Sequence, residues 1–209
     1  MTTTVRQSVD KVNHRYLLYT QLMNGVLALV GVGITIWILM ESSRLTNPDI
    51  AFWLIMPVGL LHTVEEYILP GGFIPWFNHT VCYSSDDFLP LSARRAFITD
   101  GSAALFILPV LILITIGVLP IWIAFFMAMA LFQNAYMHLG EMIKQGRYSP
   151  GVITSVLLII PVYSWLSYFY MTEGIISPLE LAGAFTAGAF MNGIFYTFLR
   201  NWIRTSVAE

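Results

Sequence analysis

Apolar residues along this chain gather into six runs, at residues 16–40, 50–69, 97–119, 121–143, 152–171 and 179–199. Each is long enough to cross a hydrocarbon layer of about 30 Å at about 1.5 Å of rise per helical residue. Helix breakers stand between them. Asn47-Pro48-Asp49 separates the first two runs, Pro70-Gly71-Gly72 ends the second, and Pro120 divides the apolar stretch from 101 to 143. Ser149-Pro150-Gly151 parts the fourth from the fifth, and Ser177-Pro178 opens the sixth. The pattern predicts an all-α polytopic membrane protein, a bundle of about six transmembrane helices in one domain over residues 1–209. The first run is too long for a signal-peptide core and lacks a small-residue cleavage site, so it reads as a retained helix.

Charge placement orients this bundle, because cytoplasmic loops retain Lys and Arg. With the N-terminus inside, Arg6, Lys11, Arg15, Arg94, Arg95, Lys144, Arg147, Arg200 and Arg204 all fall on the inner side, and Arg44 alone falls outside. Both termini are therefore expected in the cytoplasm, with the chain integral to a bacterial cytoplasmic (inner) membrane. The connection at residues 70–92 also lies inside. Its Phe73, Trp76, Phe77 and Phe88 stand among polar residues, a composition that suits an interfacial segment or lid. Ser92 is placed to cap the third helix.

Composition removes several function classes. Hydrophobic residues make up 57% of the chain and charged ones 11%, with a mean hydropathy of +0.72, which excludes a water-soluble surface. A net charge of −2 leaves no basic stripe, so nucleic acid is not an expected partner. The single cysteine, Cys82, excludes an internal disulfide and a thiolate metal site.

Against this apolar background, ionisable side chains inside a span need a purpose, since each costs about 2.5–3.5 kcal/mol to insert. The second run carries His62, Glu65 and Glu66, and the fourth carries Asn134, His138 and Glu141. At 100° per residue Glu65 and Glu66 flank His62 at about 60° and 40°, so each helix presents one polar stripe. Both helices run from outside to inside, which puts the stripes at one depth. Asp100 and Asn192 belong to the same cytoplasmic leaflet, and so do Gln21 and Asn24. His62-x-x-Glu65 and His138-x-x-Glu141 share the i, i+3 spacing that lets imidazole and carboxylate meet. Such donors suit iron, manganese or zinc, and they are numerous enough for a di-metal pair. A self-satisfied packing network is the bland alternative.

The chain here resembles the HXXEE family of bacterial membrane proteins, named for the residues standing as His62, Glu65 and Glu66. The likeness extends to Pro70-Gly71, to Asn134-x-x-x-His138 and to the turn Tyr148-Ser149-Pro150-Gly151. The resemblance implies that the motif is the site and names no reaction.

The leading expectation is a membrane metalloenzyme, an oxidoreductase or hydrolase, acting on a membrane lipid or other apolar small molecule near the cytoplasmic leaflet. His62, Glu65, Glu66, His138 and Glu141 are its expected ligands to a divalent metal, iron or zinc. Glu65, Glu66, Asp100, His138 and Glu141 are its candidate catalytic groups, with Asp100 a ligand or general base. Asn134 and Asn192 are expected to orient the ligands. Two rivals stay open: a metal-free acid/base isomerase or cyclase, and a cation or proton transporter. The oligomeric state is left undetermined.

Overall fold

The computed structural model describes residues 3–40 and 48–206; Arg44 and Asn47, used above for orientation and punctuation, lie outside the described residues. Among the described residues every regular element is a helix, and there is no sheet. Helix α1 spans Thr3–Leu39, starting well before residue 16. Residues 3–15 contain neither Gly nor Pro, so the helix continues as a polar extension. The second run is built from three consecutive pieces: α2 (Pro48–Ala51), a 3-10 turn (Phe52–Leu54) and α3 (Ile55–Tyr67). Pro57 lacks the N–H that would bond residue 53, and the tighter turn falls at this point.

Gly71 and Gly72, at φ +76° and +93°, turn the chain into α4 (Phe73–Thr80). The expected lid segment thus contains a helix. Asn78 pins it: Nδ2 donates to the carbonyls of Asp87 (2.8 Å) and Leu91 (3.0 Å), and Oδ1 accepts from Leu91 N–H (2.7 Å). Helix α5 (Ala93–Thr115) begins at Ser92, whose hydroxyl accepts from Arg95 N–H as the sequence suggests.

Helix α6 (Trp122–Gln145) ends at Gly146 in the left-handed region. After the turn, α7 (Val152–Thr154) passes through a π-helical turn (Ser155–Ile159) into α8 (Ile160–Thr172). Pro161 cannot donate to residue 157, and the ladder opens ahead of it. Helix α9 spans Pro178–Ser206.

Among the described residues, three helical stretches are long and apolar enough to cross a membrane: Lys11–Ile38, Ala93–Thr115 and Val152–Thr172. They mark the chain as an integral membrane protein. Leu29, Leu105 and Leu179 stand exposed on α1, α5 and α9, a surface that hydrocarbon rather than water would cover. Helix α1 packs along α3 and α5, α6 packs along α9, and α3 reaches α6 and α7. A Cβ at Gly188 would come within 2.9 Å of the Ala130 backbone, so this glycine lets α9 approach α6 closely. The main core holds Phe52, Leu111, Phe125, Ile159 and Tyr163; a second cluster around Tyr67, Ile74 and Phe77 lies under α4.

Candidate functional site

Because α3 is packed on several sides, its motif residues address different neighbours. His62 and Glu66 turn towards α6, where His138 and Asn134 meet them. Oε1 of Glu66 lies 3.5 Å from Nε2 of His62 and 3.2 Å from Nε2 of His138. The two imidazoles stand edge to face with centroids 5.1 Å apart. His62, Glu66 and His138 are all buried, and one ligand atom from each falls within 4.8 Å of the others, so the group could hold a metal ion.

The far nitrogens of both rings are engaged. Nδ1 of His62 lies 2.9 Å from Thr154 Oγ1, and Nδ1 of His138 lies 3.0 Å from Ser149 Oγ. Thr154 Oγ1 donates its proton to Glu65 Oε2 at 2.6 Å, which leaves its lone pair to accept from His62 Nδ1–H. The Asn134 amide nitrogen sits 3.3 Å from both Nε2 atoms, a donor facing two ring lone pairs. Both contacts favour imidazoles protonated at Nδ1 with Nε2 lone pairs turned inward, the form that binds metal.

Glu65 points elsewhere. Its Oε1 accepts from Tyr148 O–H (2.7 Å) and Ile153 N–H (2.9 Å), and its Oε2 accepts from Thr154 N–H as well as the hydroxyl (both 2.6 Å). The carboxylate thus satisfies amides left open where the chain enters α7. Burial, and then the bond to Glu65, push the Tyr148 phenol above the ordinary tyrosine range, so it remains a donor.

Gly151 closes the site. It adopts φ +99°, and a Cβ there would stand 2.6 Å from His62 Cε1 and 3.3 Å from Glu66 Cγ. On the remaining side Trp76 stacks on His138 at 5.1 Å, and Phe73 packs 6.1 Å from the same ring. The segment expected as a lid therefore touches the site through two aromatic rings.

Other candidate residues do not join the group. Glu141 bonds Lys144 Nζ (3.2 Å) and Gln145 Nε2 (2.9 Å) one turn along its own helix. Asn192 donates to the Ala130 carbonyl at 2.8 Å, tying α9 to α6. Asp100 stands beside Tyr67 and Asn24, within electrostatic reach of Glu66 and His62 but not in contact with them. Conversely, Tyr148, Ser149, Gly151 and Thr154 build the site although the sequence marks the first three only as a turn shared with the family, and Thr154 not at all. Their signal is position: three hydroxyls and a glycine at the inner end of the fifth run, at the depth of the two histidines.

A family described as "Protein of unknown function with HXXEE motif" matches residues 53–166, which include every residue of this group. No curated protein and no solved structure matches the chain.

Proposed function

This chain belongs to the family of proteins of unknown function with the HXXEE motif, and we propose that the motif forms the metal centre of a membrane enzyme. Nε2 of His62, Nε2 of His138 and the Glu66 carboxylate are the ligands to one divalent ion, iron or zinc. The observation that carries this reading is the convergence of those three atoms within 4.8 Å while both Nδ1 atoms are held by hydroxyls. Two imidazoles and one carboxylate with positions left open are a donor set suited to catalytic zinc or non-haem iron. Such an ion supplies Lewis acidity, and redox chemistry where it is iron.

The chain's own groups set the conditions around it. Glu65 and Thr154 fix the tautomer of His62, Ser149 positions His138, and Trp76 and Phe73 exclude water from that face. The substrate in this reading is a lipid-like or apolar small molecule, with the bundle of about six helices in a bacterial inner membrane and both termini cytoplasmic. The exposed apolar faces and the nine inner cations support that arrangement. A metal-free acid/base reaction is the alternative that the short Glu66–His138 contact favours. Metal content of purified wild type and His62→Ala separates the two.

A further inference from the structure

Helices α1, α3 and α5 enclose a second polar position, about 100° round α3 from Glu66. Asp100 is flanked there by the Tyr67 phenol and the Asn24 amide. Asn24 is 1% exposed and Tyr67 is 3% exposed. Among the described residues, Asn24 Nδ2 and Asp100 Oδ2 are the buried side-chain atoms that lack a hydrogen-bond partner. One is a donor and the other an acceptor, and although Asn24 stands within hydrogen-bonding reach of the Asp100 carboxylate, neither of these two atoms has a bond of good geometry. Leaving such groups unpaired opposes folding, and a bilayer offers no bulk water to relieve it.

The chemistry of the pair restricts what can satisfy both. A bare cation leaves the Asn24 donor unmet, and an anion is repelled by the Asp100 carboxylate. An oxygen that carries a proton meets both needs, accepting from Nδ2 and donating to Oδ2. We propose that Asn24 and Asp100 bind a hydroxyl group, in a site separate from the triad of His62, Glu66 and His138. Phe73 packs 5.5 Å from Tyr67 and 6.1 Å from His138, so one aromatic ring adjoins both positions. The hydroxyl comes either from water or from the alcohol of a lipid-like molecule. Neither source requires a metal in the neighbouring site.

The test is thermal unfolding of the full chain in detergent during titration with 1-dodecanol, with dodecane as control, alongside an experimental structure that resolves ordered water. A saturable rise of about 2–4 °C at about five times the Kd is expected for a bound alcohol. It should be absent with dodecane and lost in Asn24→Leu, while metal content stays at the wild-type level. No response to dodecanol, together with water density bridging Asn24 Nδ2 and Asp100 Oδ2, assigns the site to water and supports the proposal. No response, together with a direct Asn24–Asp100 bond or nothing between them, overturns it. The wild-type titration and structure decide the matter even where the variants fail to fold.

Discussion

Gly151 packs so closely on His62 that a Cβ at position 151 would stand 2.6 Å from the imidazole Cε1. The contact ties the turn before α7 to the motif helix and explains why a residue with φ +99° stands beside the site. Gly151→Ala should cost about 1–3 kcal/mol through the backbone alone and also displace His62. Gly146 is the control, since its φ is +63° but a Cβ there meets nothing within 4 Å. Both Ala variants should melt lower than wild type. Only Gly151→Ala should also lose metal.

The adjacent glutamates divide their labour by direction. Glu66→Gln removes a ligand and a buried charge, so it should abolish metal occupancy and melt at or above wild type in metal-free detergent. Glu65→Gln turns an amide towards N–H and O–H donors and sacrifices charge-assisted bonds worth about 1.5–3 kcal/mol each. It should melt clearly lower and weaken metal binding about 10- to 100-fold through Thr154 and His62. Differential scanning fluorimetry with elemental analysis reads both, and equal behaviour of the two variants would contradict this division.

Much of this site was legible in the sequence because helical geometry is. His62 and His138 could be paired from depth alone, and the different bearings of Glu65 and Glu66 follow from 100° per residue. Glu141 shows where that logic stops. It shares the stripe of Asn134 and His138, but Lys144 and Gln145 stand one turn away and claim its carboxylate, a competition that stripe geometry alone does not reveal. Thr154 and Ser149 were obscure for another reason: a hydroxyl near a helix start is ordinary capping chemistry, and its turn towards an imidazole depends on how α7 packs on α3. The three-piece build of residues 48–67 and the π turn before Pro161 likewise depend on where backbone bonds are lost, which hydropathy does not register.

In the 70–92 segment, His79 Nε2 lies 2.7 Å from Asp87 Oδ1 and Nδ1 lies 2.7 Å from the Ser84 carbonyl. The bond to Asp87 first, and then that to Ser84, raise the His79 pKa above its ordinary 6.5. A histidine raised by folding contributes stability that is fully present below the unfolded pKa and fades as pH rises through the folded one. NMR titration should therefore place His79 above 6.5, and Asp87→Asn should lower it. An unshifted His79 in wild type would contradict the contact.

Topology is open to direct assay. Reporter fusions at the C-terminus and within residues 70–92 should both register as cytoplasmic if the charge bias orients the bundle. A periplasmic signal from either would remove the proposed arrangement of about six spans.

The central claim, that His62, Glu66 and His138 form a metal centre, is tested most directly by elemental analysis of the purified protein. Wild type should carry about one equivalent of iron or zinc, the stoichiometry of a single three-ligand site. His62→Ala, His138→Ala and Glu66→Gln should each lose it, the last while still folded. Folded wild type with no bound metal, even after reconstitution with iron and zinc, or occupancy unchanged in all three variants, would contradict the account.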